Sequence, residues 1–270
     1  MIMPMKKVFV VVQAKDRESA IQDLRRLGVV HVEHQQSPHG EQVRRLEEDL
    51  ALVESALDVF AHRYDHARTG QFEQKPLSDW RRACVHLVDL NKRLDQLQEY
   101  QARITAAIVD WQQWGDFEPA LVEHLAKKNI FVRLFQIPVN QLKEIPEDVI
   151  VREVFRKAGM AHCAVITRER KEFAFKEIAL PKHSVSAMKK RLALDEQAEE
   201  DIRKEITSHL THREALVQVR QEVRKQLEFF RAVHGMGIEG GLAYLGGYVP
   251  ADAESLLREN AVTNRWAVVV

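Results

Sequence analysis

The feature that most constrains this chain is a set of apolar residues spaced alternately three and four apart. Val43, Leu46, Leu50, Val53, Leu57, Phe60 and Tyr64 keep that spacing from Glu41 onward. Ala83, Leu87, Leu90, Leu94, Leu97, Ile104, Ile108 and Trp111 resume it, with Gln101 filling the one polar seam position. Such a period commits both stretches to helices that bury one seam against other helices, as in a coiled coil, and a single polar seam residue fixes register at some cost in stability. Gly70 and Pro76 break the pattern and predict a joint between two outgoing helices. Between Ser184 and His234 there is neither Pro nor Gly, and apolar residues recur from Val185 and Met188 to Leu227 and Phe230. That reads as one returning helix of roughly 50 residues, ~75 Å long. Ile202, Ile206 and Leu210 step by four, and Asp195 and Glu199 interrupt the seam, so local unwinding is expected.

Outside the seams the period changes to that of strands. Lys7 to Val12 is a β-branched run apolar on both faces, Asp16 is placed to cap a helix bearing Ala20, Ile21, Leu24 and Leu27, Gly28 stops it, and Val29 to Val32 is a second strand. The chain's last part repeats the order: a strand over Leu242 to Val249, a helix capped by Asp252, and a strand over Arg265 to Val270. Two short βαβ units rarely bury enough apolar surface alone. The two chain ends are therefore expected to pair as one ferredoxin-like sheet with both helices on one face. In the middle, strands over Ile130 to Phe135, Val149 to Phe155, Cys163 to Thr167 and Phe173 to Ile178 predict a separate lobe, the last two forming a hairpin through Arg168 to Lys171. The expected architecture is α+β: two small α/β lobes separated by a long antiparallel helical coiled-coil bundle, dumbbell shaped. Its parts are a proximal lobe from 1–38 and 236–270, outgoing helices over 39–114, a distal lobe over 115–183 and a returning helix over 184–235. Because the seams can be satisfied within one chain, the expected particle is an elongated monomer.

Composition narrows function. Forty basic residues balance 40 acidic ones in 270, so the chain lacks the basic field of a nucleic-acid binder. Cys84 and Cys163 lie in apolar segments without metal-ligand spacing and read as buried thiols in a reducing compartment. No stretch reaches the ~18 apolar residues of a membrane-spanning helix.

The candidate chemistry is weak. Gly235-Met236-Gly237-Ile238-Glu239-Gly240 has the spacing of a dinucleotide fingerprint, but a helix precedes it and a strand follows, the reverse of what phosphate binding needs. A flexible hinge at the helix end is the expectation. His62 with His66, His209 with His212, and the cluster His31, His34 and His39 lack partners in ligand spacing. The acids Glu196, Glu199, Glu200 and Asp201 read as a solvated helix face. No cofactor, metal or catalytic residue is expected. The aromatic residues Trp111, Trp114, Phe117, Phe173 and Phe175 crowd the middle lobe and its joint, where they serve core packing or, as the sharper hypothesis, a partner's docking surface.

The opening Lys6-Lys7-Val8-Phe9-Val10 strand, followed by Leu24-Arg25-Arg26-Leu27-Gly28-Val29-Val30-His31-Val32, resembles the start of subunit I (subunit a) of the V-type and archaeal-type rotary ATPases. Leu245-Gly246-Gly247-Tyr248-Val249-Pro250 is similar to that family's strand ending in Gly-Trp-Val-Pro, with Tyr248 in place of the usual Trp. Leu27, Gly28, His31, Gly247, Tyr248, Val249 and Pro250 carry the match; the helices and the middle lobe match by pattern alone. The resemblance implies a non-catalytic stator component on the cytoplasmic face of a membrane. It would link the peripheral stalks, heterodimers of subunits E and G, to the membrane sector, through a membrane domain that this chain does not contain. That domain would make the full-length protein an integral membrane protein and this chain its soluble part. A coiled-coil scaffold or a small-ligand regulatory module unrelated to rotary ATPases is the alternative.

Overall fold

The computed structural model describes residues 3–63, 75–146 and 148–270, so Tyr64, His66 and Gly70 lie outside the described residues. The chain forms two compact units, 1–89 with 207–270, and 90–206. Both divisions fall inside helices.

In the first unit, β1 (Met5–Gln13), α1 (Arg17–Leu27) and β2 (His31–Glu33) interleave with β8 (Leu242–Pro250), α7 (Glu254–Asn264) and β9 (Ala267–Val269). Strand order is β2-β8-β1-β9 with every neighbouring pair antiparallel, the arrangement expected from two paired βαβ halves. β1 and β8 pair over nine residues, Met5 opposite Pro250 through Gln13 opposite Leu242. Val8, Val10 and Val12 share one face of β1 by the two-residue period, and all three are buried in one cluster with Ile21 and Leu24 of α1 and Leu257 of α7. Both helices therefore cover the same face. The helix starts differ from expectation. Neither Asp16 nor Asp252 caps with its side chain; each lies in a 3₁₀ turn, Ala14–Asp16 or Ala251–Ala253, that leads into the helix. The repeat survives as a repeated 3₁₀-to-α entry.

The glycine run also differs. It closes a hairpin of β7 (Gly237–Glu239) on β8, turning at Gly240 and Gly241 with φ of 56° and 83°. A Cβ on Gly237 would lie 2.1 Å from the Tyr244 ring, and one on Gly235 2.4 Å from His34 Nδ1. The small residues are there for close packing, and the hinge expectation gives way to a packed helix stop and turn.

α2 (Glu41–Arg63) buries Val43, Val53, Leu57 and Phe60 as the seam requires, and Ala56 and Val59 as well, so its buried stripe is wider than an a/d seam. It runs antiparallel to α6 (Arg213–His234): Glu47 pairs with Arg231 and, seven residues on in α2 and seven back in α6, Glu54 pairs with Arg224, each at 2.7 Å. The expected unbroken returning helix is instead two. α5 (Val185–Ser208) and α6 are separated by a 3₁₀ turn, His209–His212. The break falls where the apolar residues step by four. Leu210 stays buried, and the backbone groups an unbroken helix would use find other partners: Lys75 N–H donates to the Thr211 carbonyl at 2.8 Å and the Thr211 hydroxyl to the Ser208 carbonyl at 3.0 Å.

In the second unit, α3 (Trp80–Trp111) supplies residues from Leu90 onward and packs Ile104 and Ile108 against Val185 and Met188 of α5. Glu199, one of the seam interruptions of α5, is met from α3. Gln98 donates to Glu199 at 2.8 Å, and Arg203 and Gln101 also hold the Glu199 carboxyl below its usual range. Asp195 is buried with Arg191 at 2.9 Å. The two interruptions differ: Glu199 meets α3 through Gln98, whereas Asp195 is paired within α5.

The lobe of this unit is a four-stranded antiparallel sheet, β4-β5-β3-β6, built from β3 (Phe131–Pro138), β4 (Ile150–Lys157), β5 (Met160–Thr167) and β6 (Lys176–Ile178), with α4 (Pro119–Ala126) beside β3. β5 and β6 do not form the expected hairpin; β6 pairs with β3 instead. The ion pair of Arg133 on β3 with Glu177 on β6 joins those edges. Phe135, Ile137, Ala161, Cys163 and Val165 form the core on one sheet face, with Phe173 and Phe175 packed on it.

Candidate functional site

The five aromatic residues singled out from the sequence divide between opposite faces of the second sheet. Phe173 and Phe175 belong to the core face, Phe173 meeting Phe135 edge to face at 5.4 Å. Phe173 is half-buried and packs on this face. Trp111, Trp114 and Phe117 gather on the other side. α3 ends at Trp111, a 3₁₀ turn spans Gln112–Trp114, and Gly115 reverses the chain at φ 89°, a conformation that needs no Cβ. Trp111 then lies 6.1 Å from Trp114 and 6.3 Å from Phe117, ring centre to ring centre. Asp116 secures the turn by accepting the Ser186 backbone N–H at 3.0 Å in the first turn of α5. That bond, at the positive end of the helix, holds the Asp116 carboxyl below its usual range.

Two residues unremarked in the sequence complete the cluster. Trp114 stands edge-on to Phe155 at 5.2 Å and to His162 at 5.5 Å, and Phe155 stacks on His162 at 4.1 Å. His162 is 6% exposed, Gln136 Nε2 lies 2.9 Å from its Nε2, and burial lowers its pKa. The available signal was one imidazole in an otherwise apolar β5 run. A cleft of about 450 Å³ opens among these rings, Gln136 and Lys157.

The terminal motif residues also converge. Gly28 ends α1 at φ 70°, its N–H donating to the Leu24 carbonyl at 3.0 Å, and sends the chain past Leu27 into β2. His31 pairs opposite Tyr248 and Val32 opposite Gly247. A Cβ on Gly247 would sit 2.5 Å from the His31 carbonyl oxygen, so the glycine permits the close approach of β2 to β8. Tyr248 is 40% exposed beside the Lys7 ammonium at 5.7 Å, Val249 is fully buried, and Pro250 ends the strand.

Candidate ligating groups are scattered. His62 Nδ1 lies 2.8 Å from the Asp58 carbonyl, and His209 has the His86 ring at 5.5 Å and the His212 ring at 6.3 Å. Among the described residues no three His, Cys, Asp or Glu side chains come together as a metal site. No helix among them is long and apolar enough to cross a membrane. Of the four helix acids, Glu196 is exposed, Glu200 pairs with Lys204 and Asp201 accepts from Gln197, while Glu199 accepts from Gln98 of α3.

Fold and sites together define a class: an α+β protein with two antiparallel sheets and long helices, whose distinctive residues are glycines, aromatics and charged pairs. Within that class the chain is homologous to V-type ATP synthase subunit I. It is 23% identical over 291 aligned residues to V-type ATP synthase subunit I 1 of Treponema pallidum (strain Nichols), across 99% of this chain and 46% of that protein. The chain thus spans about half the length of this curated relative. A crystal structure of the cytoplasmic N-terminal domain of subunit I, homolog of subunit a, of V-ATPase superposes with a TM-score of 0.43 at 17% identity, covering 98% of this chain and 99% of that one. No family model matches.

Proposed function

We propose that this chain is a non-catalytic stator component of a rotary ion-translocating ATPase and that it binds the peripheral stalks, heterodimers of subunits E and G. The observation that carries the reading is relatedness to subunit I across 99% of this chain, with the motif residues of both chain ends meeting at β2 and β8. A stator must hold against torque. The repeated ion pairs along α2 and α6, and the Gln98–Glu199 bond between α3 and α5, oppose sliding of one helix along its neighbour. In this reading the second unit's lobe offers docking surface through Trp111, Trp114 and Phe117, while the ordinary role of Phe173 and Phe175 is packing. Co-purification with a co-expressed E–G heterodimer is the direct test: a stable complex is expected, and recovery of the two components apart at micromolar concentration would overturn the reading.

A further inference from the structure

The first unit holds a cleft of about 440 Å³ bounded by α1, the segment through β2 and the second half of α6. Its floor is apolar. Ile21 and Leu24 are buried beneath it, whereas Val30 and Phe229 pack on the same core and stay only half-buried, so apolar surface is left for a ligand to cover. The volume falls within the range of small-molecule sites.

The mouth carries two opposite charges that do not meet. Arg25 and Glu228 both line the cleft, both are exposed, and neither is in an ion pair among the described residues. The Arg25 guanidinium instead donates to the Lys225 carbonyl at 3.4 Å, which holds it against α6 within a turn of Glu228. The other groups at the mouth are engaged: Arg231 pairs with Glu47 at 2.7 Å, and the His34 ring lies against Gly235. A singly charged amphiphile would satisfy one of the two free charges and be repelled by the other, whereas a zwitterion satisfies both.

We propose that this cleft binds a free α-amino acid with an apolar side chain, its carboxylate on Arg25, its ammonium on Glu228 and its side chain over Val30 and Phe229. The guanidinium fork suits the carboxylate, which can accept two parallel N–H bonds from it. The inference is independent of the stator reading, since it concerns a free small molecule and needs no stalk subunit.

The whole chain would be titrated with L-leucine by calorimetry, while ¹³C-methyl NMR follows Ile21, Leu24 and Val30. N-acetylleucine, which lacks the ammonium, leucinamide, which lacks the carboxylate, and glycine, which lacks the side chain, are the controls. Saturable binding of leucine is expected, with those methyl resonances shifting and each control at least about tenfold weaker. Arg25→Gln and Glu228→Gln alter exposed side chains and should leave the fold intact, as far-UV circular dichroism would verify, yet each should weaken leucine at least about tenfold. Absence of saturable leucine binding up to about 10 mM would overturn the proposal and leave the cleft to a protein partner. So would N-acetylleucine or leucinamide binding as tightly as leucine, or unchanged leucine affinity in either folded variant.

Discussion

Single atoms decide two features of this protein. At Gly247 a side chain would press on the His31 carbonyl oxygen, which is backbone and cannot swing aside. Gly247→Ala should therefore displace β2 and cost about 1–3 kcal/mol, read as a lower denaturant midpoint at unchanged slope. An unchanged midpoint would show that β2 yields freely. At Asp116 the carboxylate accepts the Ser186 N–H, and its folded pKa is depressed below the ordinary 3.8. A depressed acid stabilises fully above its unfolded pKa, and that contribution is lost as pH falls through the folded value. Stability of the wild type should then decline below pH 4 more steeply than that of Asp116→Asn, in denaturation curves collected between pH 2 and 6. Parallel acid limbs would sever Asp116 from the cap. Gly247 was visible in the sequence as part of a motif, whereas Asp116 was not, because its partner lies 70 residues away and nothing local marks it.

Among elements, local period was legible and pairing was not. The 3-4 spacing located α2 and α3, and β-branched content located β1, which read as apolar on both faces, whereas only its Val8, Val10 and Val12 are fully buried. The turn at His209–His212 escaped because it contains no Pro or Gly; the irregular seam hinted at it, but the backbone of Lys75, which bonds it, comes from a distant segment. The β5–β6 hairpin failed for a related reason: sequence adjacency favoured it, while the Arg133–Glu177 pair and the backbone register join β6 to β3. That pairing carries Phe173 onto Phe135, so Phe173→Ala should cost about 2 kcal/mol of stability. Thermal or denaturant unfolding with a lobe-specific probe would measure it. A variant of native stability would return Phe173 to the list of candidate anchors.

At the scale of the molecule the question is where a partner's binding energy would concentrate. The exposed helix surface is charged and carries ion pairs such as Glu200 with Lys204 at 3.6 Å, and exposed pairs of this kind are worth about 0–1 kcal/mol. Interface centres favour aromatic anchors over Lys and Glu. Of the five aromatics proposed from the sequence, the two on the core face are committed to packing, which leaves Trp111, Trp114 and Phe117. Trp114 supports Phe155 and His162, so its truncation would mix folding with binding. Trp111 meets Trp114 and Phe117 and also packs on the Ile104, Ile108, Val185 and Met188 cluster, so its truncation is read beside the stability of the variant. In titrations against an E–G heterodimer, Trp111→Ala should weaken binding by about 2 kcal/mol, roughly 30-fold. Glu200→Lys and Lys204→Glu should each change it by less than about 1 kcal/mol. Circular dichroism would confirm that every variant is folded. Loss of binding in the charge reversals, with Trp111→Ala unaffected, would make the helices themselves the docking surface.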